Sequence, residues 1–69
     1  MKNRLRELRM AAGLTALELA DLAGTTENRL FPIERGRFRP RADEAARLAS
    51  ALGVSIHDIF EPAGVQKGA

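Results

Sequence analysis

LTALELADLAGTTENRLFPIERG, Leu14 to Gly36, reads as two short helices joined by a tight turn. Thr15 followed by Glu18 has the spacing of a capping box, in which hydroxyl and carboxylate each accept from an amide left unpaired at a helix start. A helix therefore begins at about Ala16, with Leu19, Ala20 and Ala23 on one face. Gly24 offers the left-handed residue that ends a helix and turns the chain. Thr25 and Thr26 supply a second N-cap, Leu30 and Ile33 lie three apart on the buried side of the next helix, and Gly36 closes it. Helices joined by so few residues cross steeply only where their contact side chains are small, a need that Ala20 and Gly24 meet.

The flanks continue the helical pattern. Upstream, Met1 to Ala12 reads as a first helix with Leu5, Leu8 and Ala12 inward, Lys2, Arg4 and Arg6 outward, and Gly13 at its end. Downstream, residues 37–41 (RFRPR) form a turn in which Phe38 covers the edge of the core and Pro40 suits the approach to a new helix. That helix, about Ala42 to Leu52, turns Ala45, Leu48, Ala49 and Leu52 inward. Asp43 and Glu44 suit the positive end of its dipole, and Gly53 stops it. Ser55 and Asp58 resemble a second capping box, for a short last helix containing Ile56, Ile59 and Phe60. No repeat and no sustained strand-like alternation occurs, so the expected fold is all-α, with five helices over residues 1–61 and a flexible tail, PAGVQKGA, over 62–69.

Sixty-nine residues allow one domain, whose core is small because a chain of this size buries only about 60% of its unfolded surface. Cysteine is absent and His57 is the only histidine, which argues against disulfides and a structural zinc site; no metal or cofactor is expected. No apolar run approaches the roughly 20 residues that span a bilayer, and nothing resembles a signal peptide, so a cytoplasmic protein with no membrane partner is expected. A net charge of +2, from 11 basic and 9 acidic residues, says little about partners. The distribution says more: Arg29, Arg35, Arg37, Arg39 and Arg41 face Glu34 alone between residues 29 and 41, the kind of one-sided patch that tracks phosphates.

Arg9, the run LTALELA from Leu14, Gly24, the Thr25–Thr26 pair, IERGRFRP from Ile33 and LASALGVSIHDIF from Leu48 together resemble the helix-turn-helix of the lambda-repressor and Cro-like family, also called the xenobiotic response element family, over roughly residues 3 to 61. The resemblance implies a five-helix domain that offers its third helix to the major groove of double-stranded DNA. It also implies an ion pair between Arg9 and Glu34, which fixes the angle between the helices carrying them. Base reading then falls to Thr26, Glu27, Asn28 and Phe31, with Arg29 at the edge. Of these, Glu27 and Asn28 match family positions that touch base edges. Asparagine suits the N6/N7 edge of adenine, glutamate accepts from cytosine N4, and arginine forks onto guanine O6 and N7. Phe31 either covers a thymine methyl or packs against a partner or the second helix. Phosphates fall to the amides of Ala16 and Leu17 at a helix start and to Arg35, Arg37, Arg39 and Arg41.

By the same resemblance the protein is a sequence-specific transcriptional regulator, a repressor in most of the family, acting as a homodimer on a palindromic operator. Its seam is expected around Val54, Ile56, His57 and Phe60. No small-molecule ligand is expected, and an enzyme is not: His57 sits beside Asp58 with no cysteine and no glycine-rich phosphate loop. Three departures keep a second reading open, that of an antitoxin-like or adaptor module with weakened base reading. Ala16 stands where the family most often has glutamine. Leu17 and Leu22 are apolar where it is commonly polar, and they either thicken the core or form a patch for another protein. Pro32 falls inside the proposed third helix, so either that helix kinks, the favoured reading, or residues 27–31 are irregular and a shorter helix starts near Pro32.

Overall fold

Residues 3–61 and Val65 are described by the structure, a computed structural model, and they form five helices: α1 (Leu5–Ala11), α2 (Ala16–Ala23), α3 (Glu27–Glu34), α4 (Ala42–Leu52) and α5 (Ile56–Ile59), with no strand among the described residues. Apart from Val65, which is partly buried against the core, the tail expected over 62–69 lies outside the described residues, as do Met1 and Lys2.

The boundaries follow local chemistry. Thr15 Oγ1 accepts the Glu18 amide at 3.1 Å while the Glu18 carboxylate accepts the Thr15 amide at 2.9 Å, so both halves of the capping box form at the start of α2. These bonds favour the charged carboxylate and hold Glu18 below its ordinary range. Gly24 ends α2 at φ 69°, a left-handed conformation that costs a Cβ-bearing residue about 1 kcal/mol or more. It lets the Thr25 amide reach back to the Ala20 carbonyl at 2.8 Å. Thr26 caps α3 by accepting the Arg29 amide at 3.3 Å, and Asp58 reaches back to the Ser55 amide at 2.9 Å to start α5.

One element differs from expectation. α1 begins at Leu5 instead of near Met1, because Asn3 is taken up in fixing its start: Asn3 Oδ1 accepts the Leu5 amide at 2.9 Å and Asn3 Nδ2 donates to the Ile33 carbonyl at 2.8 Å. Ala12, expected inward, is the exposed C-cap residue. α3 runs through Pro32 without interruption, so residues 27–31 are helical and the irregular alternative does not form. The missing proline amide is tolerated because Leu30 and Ile33, on either side of it, are fully buried.

Leu5, Leu19, Leu30, Ile33 and Leu48 fill the core together with Ile59 and Phe60, and Ala20, Ala23, Ala45 and Ala49 let the backbones approach. α2 packs against α3 and α4, α1 against α3, and α4 against α5. α4 also completes the end of α2, since Arg47 Nε donates to the Ala23 carbonyl at 2.9 Å. Leu17 and Leu22 stand 53% and 63% exposed, so they do not thicken the core. No helix among the described residues is long and apolar enough to cross a membrane.

Candidate nucleic-acid interface

The start of α3 is presented by the turn that Gly24 makes and by the Thr26 cap. Thr26, Asn28 and Phe31 are exposed on it, Phe31 by 39%, whereas Glu27 is half-buried. Thr26 Oγ1 is committed as acceptor to the Arg29 amide, which leaves its O–H to donate outward. A cleft of about 240 Å³ joins Leu17 and Asp21 of α2 to Thr25, Thr26, Glu27 and Asn28, so the end of α2 expected at phosphate and the turn expected at base edges share one groove.

Arg29 is placed elsewhere. Its guanidinium grips the Glu44 carboxylate with two bonds, one of them Nη2 to Oε1 at 2.8 Å, and lies 4.2 Å from the centre of the Phe38 ring. Arg29, expected at the edge of the base-reading set, thus has its fork engaged by a buried carboxylate. Glu44 in turn is pushed down to about 2, chiefly by Arg29, with the Arg41 amide at 3.0 Å assisting and burial opposing.

Arg9 and Glu34 meet as the resemblance implied, Nε to Oε2 at 2.7 Å, with side chains only 12% and 4% exposed. A second Arg9 bond, Nη1 to the Leu14 carbonyl at 2.9 Å, ties the same guanidinium to the entry of α2. The pair thus braces α1, α3 and the segment between α1 and α2.

Phosphate-facing candidates divide. Ala16 is 8% exposed, so only its backbone could serve; the first amides of a helix lack partners within it, and Thr15 satisfies only that of Glu18. Arg35, Arg37, Arg39 and Arg41 are all exposed, at the end of α3 and along the loop to α4. At the expected seam, Val54 and Ile56 are half-buried and His57 is exposed. Phe60 is corrected: at 2% exposure it belongs to the chain's own core and offers no surface to a second copy.

A family model described as a helix-turn-helix domain matches residues 3–59. The chain belongs to that family. The helix-turn-helix domain is 40% identical over 58 residues to the HTH-type transcriptional regulator DdrOP3 of Deinococcus deserti, an overlap of 84% of this chain and 45% of that protein, so it spans less than half of that relative. It is 43% identical over 61 residues to an uncharacterized HTH-type transcriptional regulator of Methanothermobacter thermautotrophicus, covering 87% of this chain and 88% of that one. A third such regulator, from Methanocaldococcus jannaschii, is 37% identical over 60 residues, 87% of this chain and 91% of its own. No solved structure matches significantly.

Beyond the Arg9–Glu34 pair, the long-range contacts of Asn3, Arg47 and Glu44 were the part that the sequence did not disclose. Asn3 and Arg47 each serve a partner more than twenty residues away, and only the Glu44 position, in a first helical turn beside a basic stretch, carried a local hint of its pairing.

Proposed function

We propose that this helix-turn-helix domain is a sequence-specific DNA-binding transcriptional regulator, a repressor that acts by occupying a palindromic operator as a homodimer. The observation that carries the reading is the outward set Thr26, Asn28 and Phe31 on α3, bordered by the exposed Arg35, Arg37, Arg39 and Arg41. Asn28 addresses adenine, Thr26 donates its hydroxyl, and Phe31 covers a thymine methyl. Glu27, half-buried at the same turn, accepts from cytosine. The arginines and the amides of Ala16 and Leu17 hold the backbone, which sets register without reading sequence.

One domain of this size makes few base contacts, and pairing two of them multiplies discrimination. Val54, Ile56 and His57, flanking the start of α5, form the seam, with half-sites about one helical turn, ~34 Å, apart. Binding of the chain to duplex from its own upstream region, followed by anisotropy against mixed-sequence DNA at physiological salt, tests the proposal. Equal affinity for both duplexes would refute base reading.

The exposed Leu17 and Leu22 favour a second reading, an adaptor or antitoxin-like module that binds another protein through α2. On that reading Leu17→Ser and Leu22→Ser abolish partner capture, whereas on the first Leu22→Ser, outside the groove that Leu17 shares with α3, leaves DNA affinity unchanged.

A further inference from the structure

We propose that the cleft between α1 and α3 seats a stretch of DNA backbone, with Arg6 as a phosphate contact. This rests on the DNA-binding reading above and extends it to α1, a helix not so far assigned any contact with DNA. The cleft, about 360 Å³, is lined by Arg6, Arg9, Phe31, Glu34 and Arg35.

Its charges are not equivalent. Glu34 is compensated by Arg9, whose own guanidinium is held by Glu34 and the Leu14 carbonyl, so these two form a neutral, fixed floor. The exposed Arg6 and Arg35, from α1 and from the end of α3, then give the cleft its sign, an excess of two positive charges. The carbonyls at the end of α3, which would repel a phosphate, are occupied: those of Phe31, Pro32 and Ile33 accept the amides of Arg35, Arg37 and Gly36 at 3.0 Å each, and Ile33 also accepts from Asn3.

Phe31 argues for the identity of the occupant. Pockets for small organic molecules are lined mainly by apolar side chains. Here Phe31 is the one apolar wall among four charged residues. One ring between two cations suits a deoxyribose carried between phosphates. The ring also belongs to the outward face of α3, so the cleft continues the surface that addresses the groove. A free phosphomonoester or a mononucleotide shares that chemistry, and the DNA strand is favoured by this continuity.

The test compares Arg6→Gln with Arg4→Gln in the full chain, by anisotropy with a fluorescently labelled mixed-sequence duplex over a salt series. Both changes remove one positive charge from the same stretch, but Arg4 is paired with Glu7 at 3.1 Å and lies outside the cleft. Thermal unfolding of each variant fixes the folded fraction. Arg6→Gln is expected to reduce the slope of log K against log salt by about 0.9, the value of one phosphate contact. Between about 50 and 200 mM salt the wild type should then lose ~3.5-fold more affinity than the variant. Arg4→Gln is expected to keep the wild-type slope.

If wild type binds duplex but the two variants share one slope, the inference fails and the DNA reading stands. If wild type binds no duplex, both fail together. In a parallel arm with deoxyadenosine monophosphate, Arg6-dependent binding accompanied by an unchanged DNA slope would assign the cleft to a free nucleotide and overturn the proposal.

Discussion

The Arg29 guanidinium on α3 and the Glu44 carboxylate in the first turn of α4 form a two-pronged ion pair, Nη2 to Oε1 at 2.8 Å and Nε to Oε2, with Glu44 only 8% exposed. α3 is thereby fastened to α4, and the Phe38 ring shields the pair from one side.

This pair makes stability depend on acid. Glu44 is lowered from 4.5 to about 2, so the folded protein binds fewer protons than the unfolded chain between those values. The contribution is complete above about pH 4.5 and is lost as pH falls toward 2. Glu18 and Asp58, both lowered by capping bonds to Thr15 and Ser55, act in the same direction. Circular dichroism melts across pH 2 to 7 are expected to show the fall, and Glu44→Gln should make the acid limb shallower while costing ~2 kcal/mol at neutral pH. A variant whose acid limb parallels that of wild type would locate the effect elsewhere.

The Arg9–Glu34 pair should respond asymmetrically. Arg9→Met strands a carboxylate that is 4% exposed and also deprives the Leu14 carbonyl of its donor, whereas Glu34→Gln leaves an amide oxygen that can still accept. Urea midpoints are expected to place Arg9→Met at a loss of ~3 kcal/mol and Glu34→Gln at roughly half that, with the double variant less damaged than the sum. Simple additivity would mean that the two side chains are energetically independent.

Pro32 offers a stabilising change. Alanine there supplies an amide for the Asn28 carbonyl and removes the ring from a helix interior, while the half-buried proline ring gives up some contact. Pro32→Ala is expected to gain ~1 kcal/mol, or about 4–8 °C in Tm for a domain of this size. A lower Tm would show that ring packing outweighs the amide.

Positioning and reading should separate on the DNA side. Arg37→Ala is expected to weaken binding to all duplexes alike and to cut the salt slope by ~0.9. Asn28→Ala should cost ~1–3 kcal/mol on the preferred sequence and little on mixed DNA. Equal losses on both sequences for Asn28→Ala would remove it from base reading.

The legible features were those whose causes are local. Thr15 with Glu18, Gly24, Thr26 and Gly53 mark helix ends through bonds that span five residues or fewer, and a reader of the chain recovers them. Leu19, Ala20, Leu30, Ile33, Ala45, Leu48 and Ala49 follow from periodicity alone and are all buried. What periodicity does not carry is the destination of a long polar side chain. Arg29 sits at the right place on α3 to face DNA, yet its fork goes to a carboxylate fifteen residues later. Asn3 is unremarkable in sequence and fixes where α1 starts by reaching thirty residues ahead. At Pro32 the local penalty left two readings open, and the spacing of Leu30 and Ile33, buried on either side of it, pointed to the one that forms, a helix running through the proline.

α4 lies beyond the two-helix motif, yet Arg47 closes the last turn of α2 and Glu44 anchors α3. The motif is consequently not a portable cassette. Transplanting residues 27–34 to another scaffold would carry Arg29 away from its anchor, and re-engineering sequence preference by helix swapping has to treat position 44 as part of the swapped unit.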